Sequence, residues 1–367
     1  MIEDLPAHRS GTGTDKRRVS EPNELIDAAR LRAFVAAVLE RLGMPEDDAV
    51  TVGAAFAWAD LRGITAQGIA KLPLLVGRIR AGGTPAAPAI RVVAETPAAA
   101  VLNAAGAWGQ VAGTRAMRLA IVKARATGAG IVVVRDTTSG SAMGWYASLA
   151  ADEGLVGLAI NDTTPLQAPH GGTTRVLGNQ AFAIGAPAAR CPTVIFDSAT
   201  TAISWTGIEA LIARGEPLTA GLALDASGTP TIDPAAALAG ILLPIGGHRG
   251  FGLSLMWAVL TGVLSGGARF GSEITPIADL ARSQSVSHLM LALDPSAWLP
   301  RERFLARVDT LVDQIHASPP MAGVQAVLVP GERAAALAAE RERTGVPVVP
   351  ELSARLRSLG AELGVAW

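Results

Sequence analysis

The sequence contains one cysteine, few aromatic residues and almost no net charge, and each shortage excludes a class of protein. Cys191 alone among 367 residues excludes an intrachain disulfide framework and a cysteine-rich metal site. The formal net charge is −1, whereas nucleic-acid binding needs clustered lysine and arginine. Aromatic residues make up 4% of the chain, so base-stacking platforms are not expected either. We therefore predict no nucleic-acid partner.

Metal ligands and membrane segments are also scarce. The five histidines stand far apart, with no His-x₃-His or Glu-x-x-His pair, and this spacing predicts no metal site. Gly250–Ala268 carries no charge, but its glycines, Ser254 and Ser265 favour a buried core helix over a membrane span. No apolar signal segment leads the sequence, so we expect a cytoplasmic protein without a membrane partner.

The hydrophobic pattern indicates an α/β protein. The chain has 367 residues, half of them hydrophobic, so it can bury a substantial core. This length suits two domains or one large domain with a lobe. An amphipathic helical pattern at Trp108–Thr127 precedes the β-branched run Ile131–Val134, and a second helix precedes the apolar run Leu155–Ile160. Apolar strands that alternate with helices are typical of α/β folds. Two further elements are expected near the end, a helix at Arg301–His316 and a last strand at Gly323–Val329.

One glycine-rich stretch, Pro244–Gly267, has the character of an anion site. It presents His248 and Arg249 side by side before an apolar helix, between glycines that allow close approach of the backbone. An arginine at a helix N-terminus suits an anionic group, because charge-assisted hydrogen bonds add to unpaired N–H groups. A solvated turn before a buried helix would give the same pattern.

Polar loops follow several of the expected strands. No G-x-G-x-x-G fingerprint, P-loop or G-x-S-x-G elbow is present. In α/β sheets, ligands bind beyond the carboxyl ends of strands, so the loops together predict a pocket for an extended polar ligand. Ordinary turns would explain any single loop. The loops are DTTSG (136–140), NDTT (161–164), DSATT (197–201) and PGE (330–332).

These loops and several other motifs resemble the malate/L-lactate dehydrogenase family of NAD(P)-dependent oxidoreductases, which includes cyclic-imine reductases. The resemblance runs from about residue 24 to the C-terminus. Their order and spacing along the chain agree with the family. The best-matched motifs are ADLRG (59–63), LP (72–73), GQVAGTRAM (109–117), APHGG (168–172), DASGTPTIDP (225–234), PIGGHRGFGL (244–253), LSGG (264–267) and VPGE (329–332).

The resemblance implies a family-specific, non-Rossmann nicotinamide-binding sheet domain at residues 96–299. A helical domain for dimerisation and the substrate side would be built from residues 25–95 plus 300–367. Residues 1–24, which are polar and mixed in charge, are expected to be a disordered tail. Family members are typically homodimers that act on a small-molecule substrate near the subunit interface.

The same resemblance implies NADH or NADPH as the cofactor. Arg249 stands where the family usually has lysine, a change that keeps the charge but alters the hydrogen-bond geometry. The implied cofactor-binding residues are Asn161, Asp162, Thr163, Asp197, Ser198, Ala199, Thr200, His248, Arg249, Gly250, Pro330, Gly331 and Glu332.

The catalytic positions depart from the family. Its first motif, G-H-D-S-H-G-V-x-R-L-P, has lost both histidines here, to Ile64 and Gln67, and its arginine is Lys71. Its second motif, N-S-x-H-F/Y-G, normally supplies the acid/base histidine, and Ser139 stands in that place. His170, in APHGG, is a further candidate acid/base.

The loss of imidazole favours a substrate that arrives already protonated. Hydride transfer to a ketone leaves an alkoxide, for which a suitable acid is worth roughly 10²–10⁴-fold. Ser139 can donate a hydrogen bond but is a poor acid, whereas an iminium needs no proton at that moment. Asp136 would favour such a cation, and Lys71 could hold a substrate carboxylate.

We therefore predict an NAD(P)H-dependent reductase of an imine, or of an unusual 2-oxo acid or carbonyl compound. Two alternatives stay open. One is a non-redox cyclase, lyase or isomerase that reuses the pocket. The other is a non-catalytic relative that only binds a ligand.

Overall fold

The computed structural model describes residues 23–367 and confirms an α/β fold. Its strands are β1 (Glu24–Ile26), β2 (Arg91–Glu95), β3 (Ala99–Asn103), β4 (Ala129–Thr137), β5 (Val156–Asn161), β6 (Phe182–Ala186), β7 (Val194–Ser198), β8 (Ala223–Leu224), β9 (Pro230–Thr231), β10 (Ile241–Leu242), β11 (Val286–Leu293) and β12 (Val346–Val348). Its α-helices are α1 (Ala28–Arg41), α2 (Glu46–Leu61), α3 (Leu72–Ala81), α4 (Gly109–Thr127), α5 (Gly144–Asp152), α6 (Trp205–Arg214), α7 (Pro234–Ala239), α8 (His248–Ala258), α9 (Arg301–His316), α10 (Glu332–Thr344) and α11 (Pro350–Leu363).

A seven-stranded sheet forms the centre, with the order β2-β3-β4-β11-β5-β6-β7. Strands β3 and β4 are parallel, and every other neighbouring pair in this sheet is antiparallel. Because β11 runs antiparallel to both β4 and β5, these two strands point the same way, and so does β7. The carboxyl ends of β3, β4, β5 and β7 therefore meet at one edge of the sheet, although the sheet is mostly antiparallel.

Both faces of this sheet are covered. Helices α4 and α5 pack on one face over a core of alanines and a few larger side chains, among them Met117, Tyr146 and Met290. Small residues permit this contact: a Cβ on Gly130 would lie 1.9 Å from the carbonyl oxygen of Ala120. Helix α8 covers the other face and continues directly into a π-helical turn, Val259–Val263.

A second core lies among α1, α2, α3, α10 and α11. Strand β1 pairs with β12, which joins the two ends of the described chain. Glu24 therefore belongs to a strand, which corrects the expected tail by one residue, and residues 1–22 of that tail lie outside the described part. The expected domain boundary fell after residue 95, whereas β2, just before it, belongs to the large sheet.

The last strand expected from the sequence is not formed. Gly323–Val329 was predicted as a strand but has no regular structure and is mostly exposed, and no strand within residues 23–367 pairs with it. Helix α6 was not predicted. No helix within residues 23–367 combines the length and apolar character needed to cross a membrane.

Candidate functional site

The loop after β4, Thr138–Gly140, is held by buried polar side chains from three other elements. The backbone N–H of Ser139 donates to Oε1 of Gln284 at 2.8 Å, and that of Gly140 donates to Oδ1 of Asn161 at 3.2 Å. The Tyr146 hydroxyl donates to the carbonyl oxygen of Gly140 at 2.8 Å. The backbone that carries Ser139 is therefore positioned without any help from its own side chain.

The Ser139 hydroxyl is oriented by one hydrogen bond, and no basic side chain of the described residues bonds to it. Its Oγ accepts one hydrogen bond, from Nδ2 of Asn161 at 3.3 Å, so its proton remains available to a ligand. The imidazole next to this loop, His288, is fully buried, and desolvation lowers its pKa to about 4. Its Nε2 lies 3.0 Å from the carbonyl oxygen of Thr138 and must donate to it. His288 is thus a neutral structural residue, not an acid for Ser139.

Gln67 and Lys71 end two short 3₁₀ turns between α2 and α3. Lys71 is partly buried, and desolvation lowers the pKa of its ammonium, while Glu209 on α6 acts in the opposite direction. A desolvated ammonium of this kind suits a substrate carboxylate, because the ion pair would replace the interactions with water that burial removed.

Asp60, which sequence reasoning missed, holds this segment in place. It is 2% exposed, its Oδ2 accepts the N–H of Ile69 at 2.8 Å, and desolvation raises its pKa to about 7. A Cβ on Gly68 would lie 2.1 Å from its carboxylate, so glycine is required there. Asp60 therefore fixes the backbone between Gln67 and Lys71.

Asp136 and His170 lie in other surroundings than Ser139. Oδ1 of Asp136 accepts a hydrogen bond from Ser285 at 2.8 Å, and the residue lines a cavity whose wall does not include Ser139. The His170 ring packs against the His248 ring, with centroids 6.0 Å apart. Asp136 and Ser139 were expected to act in one catalytic set, but the structure does not bring their side chains together. His170 lies beside the glycine-rich turn that carries His248.

Three of the four expected cofactor loops are joined by hydrogen bonds through Asn179, a residue that sequence reasoning missed. Thr163 Oγ1 donates to Asn179 Oδ1 at 2.8 Å, and the N–H of Thr200 donates to the carbonyl oxygen of Asn179 at 2.8 Å. The N–H of Ile245 then donates to the carbonyl oxygen of Thr200 at 2.9 Å. The loops after β5 and β7 and the glycine-rich turn therefore form one continuous surface.

The start of α8 suits a phosphate. No side chain caps this N-terminus, Gly247 has φ of +63°, and nothing lies within 4 Å of a Cβ built on Gly246. His248 and Arg249 stand exposed in the first turn, and Gly250 is buried behind them. Unpaired N–H groups with an adjacent cation are what a pyrophosphate requires, so these residues fit a nicotinamide dinucleotide.

The fourth loop reaches the same surface through β7. Ile195 donates its N–H to the carbonyl oxygen of Pro330 at 3.2 Å. Gly331 has φ of +94°, and a Cβ there would lie 2.9 Å from the nitrogen of Ile195. The Glu332 carboxylate is already engaged, with the N–H of Val329 at 2.9 Å and with His316 at 2.8 Å. The Glu332 side chain is therefore not free to bind a ligand.

Asp197 and Gly331 share a cavity of about 280 Å³ with Trp58 and Arg62. Much of Asp197 is accessible from this cavity, but its carboxyl group is crowded, and desolvation raises its pKa to about 6. Its Oδ2 accepts the N–H of Gly144 at 2.7 Å, so Asp197 caps the start of α5. The cavity runs along β7 from the residues just before it to Asp197, and Asp197 and Gly331 are the members of the expected cofactor set that line it.

Other side chains of the expected cofactor set are turned to the protein. Oδ1 of Asp162 accepts the N–H of Thr163 at 2.9 Å, and burial raises the pKa of Asp162 to about 6. Ser198 donates to the carbonyl oxygen of Ala199 at 3.2 Å. These residues shape the loops and do not present charge to a ligand.

The family model described as malate/L-lactate dehydrogenase matches residues 26–357. The chain belongs to the malate/L-lactate dehydrogenase family. It is 33% identical over 359 residues to malate dehydrogenase of Pyrococcus abyssi (strain GE5 / Orsay), covering 96% of this chain and 98% of the relative. The solved sulfolactate dehydrogenase of Methanocaldococcus jannaschii matches with a TM-score of 0.88 and 32% identity, over 94% of this chain and 98% of that one.

A reductase of cyclic imines is also among the relatives. Delta(1)-pyrroline-2-carboxylate/Delta(1)-piperideine-2-carboxylate reductase of Pseudomonas putida is 29% identical over 331 residues, covering 90% of this chain and 95% of the relative. The malate/L-lactate dehydrogenase family thus contains both C=O and C=N chemistry on one fold. Its dehydrogenases and reductases identify this chain as an oxidoreductase.

Proposed function

We propose that the protein is an NAD(P)H-dependent reductase of an imine, with an unusual 2-oxo acid or other carbonyl compound as the less favoured substrate. The observation that carries the proposal is the environment of the Ser139 hydroxyl, which by the family resemblance stands where members carry the acid/base imidazole. Within residues 23–367 its Oγ has one hydrogen-bond partner, the amide of Asn161, and no basic side chain bonds to it. The neighbouring imidazole, His288, is neutral and already bonded to the backbone.

The chemistry follows from the proton that each substrate needs. A ketone that accepts hydride becomes an alkoxide, and its protonation at neutral pH calls for an acid of near-neutral pKa. A protonated imine that accepts hydride becomes a neutral amine directly, with no proton transfer in that step. Ser139 can still donate a hydrogen bond to the substrate, as a fixed dipole in a poorly hydrated site.

We assign the remaining roles to other residues of the expected site. Lys71, a desolvated ammonium, would bind a substrate carboxylate as a point charge. The start of α8, with Arg249, would bind the cofactor's phosphates, and the bound nicotinamide supplies the hydride. Either NADH or NADPH is compatible with these residues. We propose further that the enzyme is cytoplasmic and, as its family resemblance implies, a homodimer.

The test compares two substrate classes at one site. Purified protein is incubated with NADH or NADPH and either a cyclic imino acid or the 2-oxo acid of matched chain length, and nicotinamide absorbance is followed. We expect faster oxidation with the imino acid. Ser139→His should then raise 2-oxo acid turnover selectively, because it restores an acid to a loop whose backbone is already held in place.

Three results would contradict the proposal. Faster turnover of the 2-oxo acid by the unaltered protein would remove the argument from Ser139. Product formation without a change in nicotinamide absorbance would instead favour a cyclase, lyase or isomerase. Absence of both turnover and nucleotide binding would leave the non-catalytic alternative.

A further inference from the structure

A second cavity, separate from Ser139, lies at the same edge of the sheet, where β3 and β4 end and β11 begins. Its volume is about 420 Å³, and its floor includes Gly82, Gly83 and Pro85. The polar side chains of its wall are Asn103, Asp136, Arg269, Ser283 and Ser285. This size holds a small organic molecule, and the wall offers both charges and several hydrogen-bonding groups.

Backbone strain is concentrated around this cavity. Within residues 23–367, five residues other than glycine have positive φ, and three of them line it: Ala105 (50°), Asp136 (57°) and Ser285 (57°). A left-handed conformation at a residue with a side chain costs of order 1 kcal/mol and persists where the surroundings enforce it, commonly at ligand sites. Asp136 and Ser285 also bond to each other, at 2.8 Å, so two strained positions support one another.

The two charged groups of the wall do not neutralise each other. Asp136 uses Oδ1 for Ser285, whereas Arg269 directs Nη1 to Thr275 Oγ1 and to the carbonyl oxygen of Ser283, at 3.2 Å for the latter. Among the described residues, no ion pair joins Asp136 to Arg269. Two opposite charges that face one cavity without pairing are complementary to a ligand that carries both charges.

We propose that this cavity binds a small zwitterionic α-amino acid, with its carboxylate at Arg269 and its ammonium at Asp136. Arginine is suited to the carboxylate because its planar guanidinium offers several donors, and the serine hydroxyls can complete the contacts. The site goes beyond the proposed reductase function, since binding there requires neither cofactor nor turnover.

Two adjacent residues, Gln284 and Ser285, connect this cavity with the backbone of Ser139. Ser285 lines the cavity, and its chain neighbour Gln284 accepts the N–H of Ser139 at 2.8 Å. Gln284 also donates to Thr164 Oγ1 at 3.2 Å, which ties the loop after β5 to the same point. A ligand that shifts Ser285 would therefore move the backbone that carries Ser139.

Calorimetric titration of the resting protein tests the binding directly. L-Proline is the probe, because it carries both charges on a compact ring. L-Prolinamide lacks the carboxylate and N-acetyl-L-proline lacks the ammonium. Each should bind at least about tenfold more weakly, since a hydrogen bond to a charged group contributes roughly 1.5–3 kcal/mol. Equal affinity for either analogue would overturn the proposal, as would absence of proline binding.

Variants locate the site. Asp136→Asn and Arg269→Gln should each weaken proline binding at least about tenfold. Asparagine tolerates the left-handed backbone, so Asp136→Asn should fold normally. Arg282→Gln is the matched control, because Arg282 lies on the same loop as Arg269 but outside the cavity. The affinity of this variant for L-proline should be unchanged.

One further variant separates this site from the proposed substrate site. Loss of proline binding in Lys71→Met, with retention in Asp136→Asn, would place the ligand at the substrate site and overturn the proposal. Failure of the reductase assay would leave these titrations unaffected, so the two proposals can fail separately.

Discussion

Arg78 offers the sharpest test of how this fold is held together. It lies on α3, seven residues after Lys71, and its side chain is fully buried. Its guanidinium donates five hydrogen bonds, two to residues 83–84 just after α3 and three to the distant segment 277–282. The acceptors are Thr84 Oγ1 at 3.1 Å and the carbonyl oxygens of Gly83 at 2.9 Å, Ile277 at 2.9 Å, Asp279 at 2.5 Å and Arg282 at 2.8 Å.

Replacement by methionine keeps most of the volume of Arg78 and removes every donor. Four carbonyl groups and one hydroxyl would lose a partner, and each unsatisfied buried group costs about 1–3 kcal/mol. The sum is an upper bound, because the loop around Arg282 is exposed and water can enter there. We expect Arg78→Met to lower the free energy of unfolding by about 4–6 kcal/mol, a large share of a typical 5–15 kcal/mol.

Urea unfolding followed by circular dichroism measures this difference. Arg80→Met is the matched control, because Arg80 is on the same helix, its side chain is 41% exposed, and its partner Glu362 is 58% exposed. A surface ion pair of this kind contributes about 0–1 kcal/mol. If the two variants unfold at the same urea concentration, the hydrogen bonds of Arg78 are not what stabilises the 277–282 segment.

Three further predictions concern the site. Gln284→Leu should lower kcat with little change in KM, because the Ser139 N–H loses its acceptor, whereas Gln284→Glu should recover most of the rate; steady-state kinetics decide. Arg249→Met should weaken cofactor binding by about tenfold or more in fluorescence titration, since a charge-assisted phosphate contact is removed. Asp60 has a raised pKa of about 7, so its contribution to stability is lost as pH rises from about 4 to about 7. Asp60→Asn should therefore be up to about 4 kcal/mol more stable than the unaltered protein above pH 7 and similar to it near pH 4, as measured by urea unfolding.

Local patterns were enough to predict most elements that build the site. Arg301–His316 was predicted with the bounds that the structure gives, because its apolar residues recur at helical spacing. Polar residues directly after apolar runs marked the carboxyl ends of β4, β5 and β7. These ends do lie at one edge, although the sheet that joins them is mostly antiparallel and not parallel.

Contacts between distant segments left no trace in the local pattern. Gln284 bonds Ser139 across 145 positions, and neither its type nor its neighbours indicated a role. Asp136 and Ser139 are three residues apart, yet Asp136 has a left-handed backbone and lines a cavity whose wall does not include Ser139. The apolar pattern of Gly323–Val329 is typical of strands, but it cannot show whether a partner strand is present, and the described part of the chain provides none.

The arrangement around Ser139 indicates that the side chain at position 139 can change without loss of the fold. The N–H of Ser139 and both polar backbone groups of Gly140 are bonded by Gln284, Asn161 and Tyr146, and none of these bonds involves the Ser139 side chain. A change at position 139 therefore alters the chemistry offered to a substrate while its backbone support stays intact. The opposite holds for Asn161, whose amide holds both the loop and the hydroxyl. Selection for a new substrate could thus act on Ser139 freely, whereas the residues that support it are constrained by the fold.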